Sequence, residues 1–365
     1  MQRRTFLTAA AAAAIGSLPA TSAIAASSKK PPAVRIVFDA LSGAADFGDP
    51  LPMGADRARA IRASGVTAVN WTVSSSTFED TISQLAYAQA LAGSDPSLWL
   101  LARRHSDIAA AARNKQVALL LGFQHPQALG EHGERLETFR QLGVRIMQLT
   151  YNNRGLFGDG CLEPGNGGLS RAGFALVEHM NAQGIAVDLG HAGMRTTAEA
   201  IAKSKTPALI THTGCRALHD HPRNQTDENL RALADRGGVV GIYFMPYLVA
   251  SPTVPTAGHV VAHLVHALDV AGTDHVGIGT DGAIAGFTIS DEARKAMEAD
   301  MAERKRTGIA APEEDRLPLV PELNNVEHMR IVESRLQKIG YPAAVVDKVL
   351  GGNFHRVLGD IWGSA

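Results

Sequence analysis

Eight short apolar, β-branched runs recur along this chain, at 34–38, 66–73, 117–123, 144–149, 185–189, 208–211, 239–244 and 275–279. Continuous apolar runs of this length are what strands buried on both faces require. The stretches between them, such as 81–91, 170–183, 197–203, 226–236 and 260–270, are amphipathic and rich in Ala, Leu and Arg. That is the pattern of helices laid on a sheet. Strand–helix alternation repeated eight times predicts a parallel (β/α)8 barrel of the TIM type. The competing arrangement is a doubly wound open sheet, which usually carries a Gly-rich nucleotide turn after its first strand. No such turn follows residue 38, and Gly351-Gly352 stands before a late helix, the wrong context for phosphate.

The first 26 residues are expected to lie outside the fold. Arg3-Arg4-Thr5-Phe6-Leu7 is a twin-arginine pattern, an alanine-rich apolar stretch follows to Ile15, and Ala23-Ile24-Ala25 offers a small-x-small cleavage site. Together they predict a removable Tat-type signal peptide, hence the Tat translocase as a partner during export and the periplasm as destination. Residues 27–32 read as a polar linker, 33–365 as one barrel domain, and about 287–320 as a charged helical insertion after the eighth strand. At the mouth of a barrel such an insertion is placed to cover a substrate. The 35 basic residues nearly balance the 36 acidic ones, with no basic cluster, so nucleic acid is not an expected partner; a homodimer stays open. Cys161 and Cys215 are compatible with a disulfide or with two unrelated thiols.

Polar residues gather just past the strand ends. Gln124 and His125 follow the third strand, Tyr151-Asn152-Asn153 the fourth, His191 the fifth, His212 the sixth and Asp281 the eighth. In a barrel these positions converge at the C-terminal mouth. Neutral imidazole is a preferred ligand for zinc-like ions, so His191 and His212, with a weak amide oxygen from Gln124, form a candidate site for one metal ion. Asp281 is either a further ligand or a general acid/base. His219 and His221 are expected to shape their loop. His259, His263 and His266, at helical spacing, are expected on a partly exposed helix face rather than in a ligand set.

Several motifs carry a family resemblance. Asp188-Leu189-Gly190-His191, Thr211-His212-Thr213, His221-Pro222-Arg223-Asn224, Gly277-Ile278-Gly279-Thr280-Asp281 and Gly351-Gly352-Asn353 together resemble the membrane (renal) dipeptidase family. The resemblance implies a barrel hydrolase acting on dipeptides or small amides through two metal ions that share a hydroxide. It assigns His191 and His212 to one metal, Asp281 to the proton of the attacking water, and Arg223, with Asn224 beside it, to the substrate carboxylate.

The departures bear on that chemistry. Leu41 and Gly43 stand where the family has a metal-binding His and Asp, with Asp39 just before them in a supporting position. Gln124 replaces a bridging Glu, and Tyr151 replaces a His that serves the oxyanion, a role a phenol can also fill. Two cations in close contact need carboxylates to offset their repulsion. At most one zinc or other divalent metal ion is therefore expected, and a dinuclear centre is not. The resulting expectation is a dipeptidase-like metallohydrolase. The alternatives are a barrel that performs another reaction on a small carboxylate-bearing or peptide-derived molecule, and a non-catalytic binding protein.

Overall fold

The computed structural model describes residues 34–131 and 135–363. The signal and linker expected at 1–32 lie outside the described residues. Eight parallel strands follow one another in chain order. They are β1 (Phe38–Asp39), β2 (Ala68–Thr72), β3 (Val117–Phe123), β4 (Val144–Gln148), β5 (Ala186–Asp188), β6 (Leu209–Thr213), β7 (Val239–Ile242) and β8 (Val276–Ile278). Each falls in or against one of the eight apolar runs. All seven residues of β3 are buried, as a strand covered on both faces demands. The ring closes where Ala40 N donates to Ile278 O at 2.9 Å and where Gly282–Ala283 pairs in parallel with Ser42–Gly43.

Alternation along the strands divides the core. On β3, Leu119 and Leu121 belong to the layer shared with the helices, whereas Ala118 and Leu120 pack with Phe38, Ile146 and Leu209 in a second cluster. Small residues of that second cluster, Ala68, Ala118 and Ala186, suit the narrow interior of an eight-stranded barrel. The last helix, Asn353–Trp362, adds Phe354, Val357 and Leu358 to it, with Phe354 stacked on Phe38 at 5.6 Å.

The helices expected from periodicity are present, with ends shifted by up to three residues to their caps. The helix Asp227–Asp235 starts at Thr226, whose hydroxyl accepts from Asn229 N, and Arg171–Gln183 ends at Gly184, which adopts a left-handed φ of 64°. Three short strands were not expected: Trp99–Leu101, which pairs with the start of β3, and the pair Ser42–Gly43 and Gly282–Ala283. The first strand is also displaced from 34–38 to its end, because pairing with β2 begins only at Phe38. The insertion forms a helix, Asp291–Arg306, with no fully buried residue, followed by a turn-rich return.

Candidate active site

A cavity of about 390 Å³ opens at the C-terminal mouth. From the barrel it is lined by Gln124, Tyr151, Asn152, His191, Arg223 and Asp281, and from the inserted helix by Met297, Met301 and Arg304. The convergence expected from strand ends is thus observed. The rings of His191 and His212 lie 4.9 Å apart, with His212 fully buried beneath the cavity. Tyr151 stacks on His191 at 4.1 Å. His125 meets Tyr151 edge-on at 5.6 Å and does not line the cavity.

Hydrogen bonds set the tautomer of both imidazoles. Asn152 Nδ2 donates to Ile309 O at 2.7 Å, which turns its Oδ1 toward His191 Nδ1 at 2.6 Å. That oxygen accepts the Nδ1 proton, so Nε2 carries the lone pair. At His212 the Thr211 hydroxyl donates to Asp188 Oδ2 at 2.7 Å and accepts from Nδ1 at 2.9 Å, which again leaves Nε2 as a lone pair. Both Nε2 atoms are buried, and neither has a hydrogen-bond partner among the described residues. Burial, with the Arg223 charge second, pushes both imidazoles well below their ordinary pKa range, so both are neutral at pH 7. The close approach depends on Gly190, where a Cβ would lie 2.7 Å from His212 Cε1.

The same Asp–Thr device occurs twice around the ring. Asp188 at the end of β5 accepts from the backbone and hydroxyl of Thr211 on the neighbouring strand, at 2.9 and 2.7 Å. Asp39 at the end of β1 accepts from the backbone and hydroxyl of Thr280, at 2.8 and 2.7 Å, and from Leu41 N at 3.4 Å. Asp39 therefore supports the site by fixing the residue before Asp281. Asp281 itself holds a left-handed φ of 56°, uncommon for a residue with a Cβ, and donates its N–H to Leu41 O at 2.9 Å. Burial raises its carboxyl to about 6, opposed by Arg223 and Arg304.

Arg223 is buried, with Nη1 bonded to Gly190 O and Nη2 lacking a partner among the described residues. Its neighbour Asn224 does not face the cavity. The Asn224 amide donates to His219 O and Tyr247 O, both at 2.9 Å, and its Oδ1 accepts from Tyr243. Its hydrogen-bonding capacity is committed to holding the loop, so the expected contact with substrate is not what this geometry provides. His221 and His219 tie that loop to the insertion through Pro312 O at 2.8 Å and Glu313 at 3.2 Å. The helix histidines split. His263 is buried, 1% exposed, because its two nitrogens serve Cys215 N and Leu248 O, which corrects its placement on a partly exposed face. His259 caps its helix and His266 pairs with Asp227. Cys161 and Cys215 are separate free thiols.

Two unpartnered imidazole nitrogens, on rings 4.9 Å apart, are the donors a single ion would use, with Gln124 and Asp281 on the cavity wall. The described residues present no second set of side-chain donors. Leu41 and Gly43 offer no side-chain donor, Gln124 is neutral, and the Arg223 cation is adjacent. Among the described residues, no group of three or more His, Cys, Asp or Glu forms a metal cage.

The sequence profile of membrane dipeptidases (peptidase family M19) matches residues 46–294. Dipeptidase verJ of Clonostachys rogersoniana is 35% identical over 186 residues, which span 50% of this chain and 47% of that protein, so the match covers about half of that relative's length. Among solved structures, an amidohydrolase from Pseudomonas aeruginosa is 32% identical with a TM-score of 0.78, over 90% of this chain and 97% of that one. A metallo peptidase from Rhodobacter sphaeroides, liganded with a phosphinate mimic of the dipeptide L-Ala-D-Ala, shares the fold at 17% identity and a TM-score of 0.72, over 90% of this chain and all of that one. A barrel with these strand-end residues, matched over most of its length by the family profile, belongs to the membrane dipeptidase family.

Proposed function

We propose that this chain hydrolyses the amide bond of dipeptides or related small amides, with at most one divalent metal ion. The observation that carries the reading is the pair of buried, unpartnered Nε2 lone pairs on His191 and His212 beneath a cavity that also presents Asp281 and Arg223. His191 and His212 would hold the ion, with Gln124 or Asp281 adjacent; a zinc-like ion would supply a Lewis acid that activates water and polarises the carbonyl. The free Nη2 of Arg223 binds the substrate carboxylate. Asp281 takes a proton from the attacking water and passes it to the leaving amine. Tyr151 donates to the oxyanion as the water oxygen bonds the carbonyl carbon and the C–N bond breaks.

The reaction is expected in the periplasm after Tat export, on the strength of the twin-arginine segment. The test is release of free amino acids from a dipeptide panel by the purified chain, before and after chelation and zinc reloading. Turnover that chelation abolishes and zinc restores supports the reading. No turnover on any dipeptide in the metal-loaded chain contradicts it.

A further inference from the structure

The inserted segment does more than cover the mouth. Met297, Met301 and Arg304, at i, i+4 and i+7 of the helix Asp291–Arg306, are its partly buried stripe over the cavity. The Arg304 guanidinium carbon lies 5.7 Å from the centre of the Tyr151 ring, the same ring that stacks on His191. Arg304 is held there by an ion pair with Glu314, whose side chain is 9% exposed and which also lines the cavity. Glu314 is in turn anchored by Ala311 N at 2.6 Å. The segment between them is tied to the β4 loop, through Asn152 to Ile309 O at 2.7 Å and Asn153 to Gly308 O at 3.0 Å. A fixed cation is thus built against the residue that replaces the family's oxyanion histidine, in a site short of the ligands for a second metal.

We propose that Arg304 is a positioning residue for Tyr151. Its guanidinium holds the phenol toward the cavity as an oxyanion donor and supplies there a positive charge that Leu41, Gly43 and Gln124 cannot assemble as a second cation. The inference rests on the hydrolase reading above. It implies that the insertion and the lost ligands are one adaptation, since the lid's guanidinium stands in for the metal cation those ligands would have held. Preorganised charge of this kind acts without reorganisation during the reaction.

The experiment compares Arg304→Met, Arg304→Lys, Tyr151→Phe and the Arg304→Met/Tyr151→Phe double variant of the whole chain on the best dipeptide. Binding of a phosphinate dipeptide isostere is measured alongside by calorimetry. Loss of an oxyanion donor typically lowers kcat by about 10²–10³, so Arg304→Met should lower kcat about a hundredfold with KM within about threefold of wild type. Arg304→Lys should recover about tenfold, and the double variant should be no slower than the worse single one within about threefold, because the two residues act as a unit. Phosphinate affinity should fall in parallel with kcat. Should Arg304→Met not fold, Arg304→Lys and Glu314→Gln, which frees Arg304 from its anchor, carry the test through a smaller loss, about tenfold in kcat with KM unchanged.

A rise in KM alone, or losses that multiply in the double variant, overturns the proposal. A wild-type chain that cleaves dipeptides and binds the phosphinate, beside an Arg304→Met chain that matches it, overturns this inference alone. A wild-type chain that does neither overturns the hydrolase reading and this inference with it.

Discussion

His191 and His212 owe their free nitrogens to neighbours that are not themselves candidate ligands. Asn152 and Thr211 accept the Nδ1 protons, and each is fixed by a further bond, to Ile309 O and to Asp188 respectively. Groups that orient a metal ligand typically affect affinity by about 10–100-fold. Asn152→Ala should therefore weaken zinc binding by about tenfold or more, read by competition with a chromogenic chelator; unchanged affinity would show that His191 needs no such partner. At the other end of the cavity, Arg223→Lys keeps the charge but removes the guanidinium fork. Apparent affinity for a dipeptide should fall about tenfold or more, as for loss of one charge-assisted bond. Equal KM in that variant would remove Arg223 from the substrate carboxylate. The convergence of His191 and His212 was legible in the sequence, because both stand at strand ends. Asn152 was visible only as a neighbour of Tyr151, since an amide's role depends on which carbonyl and ring it happens to reach. Asn224 was misplaced for the same reason: motif adjacency to Arg223 does not show that its amide is consumed by Tyr243, Tyr247 and His219.

At the scale of elements, the two Asp–Thr locks join β1 to β8 and β5 to β6, and each ends beside a residue of the site. Asp39 is fully buried, and that burial raises its carboxyl to about 7 against an ordinary value near 4, despite the donors from Thr280 and Leu41. A carboxyl whose pKa is raised by folding gives its full stability below the ordinary carboxylate range. That stability falls as pH rises from about 4 to about 7, by at most about 4 kcal/mol. Asp39→Asn keeps a neutral acceptor and donor there and does not titrate. Relative to the variant, wild-type stability in urea should thus fall between pH 4 and pH 8. Equal pH dependence of the two chains would mean that the lock is ionised throughout. The strands were legible because a strand buried on both faces leaves a continuous apolar run, and β3 was placed without error. Trp99–Leu101 was not, because three apolar residues after Asp95-Pro96 look like loop until β3 offers an edge. His263 looked partly exposed because helical spacing does not show which face meets the Cys215 loop.

The whole molecule is a barrel whose chemistry is decided by what stands at one rim. The closing seam carries the main departure: Gly43 pairs with Ala283, and Leu41 accepts from Asp281 N, where the sequence resemblance expects a His and an Asp. A Cβ on Gly43 would find its nearest neighbour, Gly282 O, at 3.4 Å, so the backbone there admits a side chain. Restoring Gln124→Glu alone adds one negative charge and should tighten a single metal ion without creating a second site. The triple variant Leu41→His, Gly43→Asp, Gln124→Glu supplies ligands and charge for two ions, and dipeptide cleavage should appear or rise with it. A triple variant that still holds one ion would place the obstacle elsewhere, with Arg223 and Arg304 the nearest opposing charges. The central claim is that this family site is built for one ion and not two. Elemental analysis of the purified wild-type chain, dialysed free of loose metal, tests it directly. The account predicts no more than one divalent ion per chain, lost when His191 and His212 are both replaced by Ala. Two tightly bound ions per chain in the wild type would contradict it.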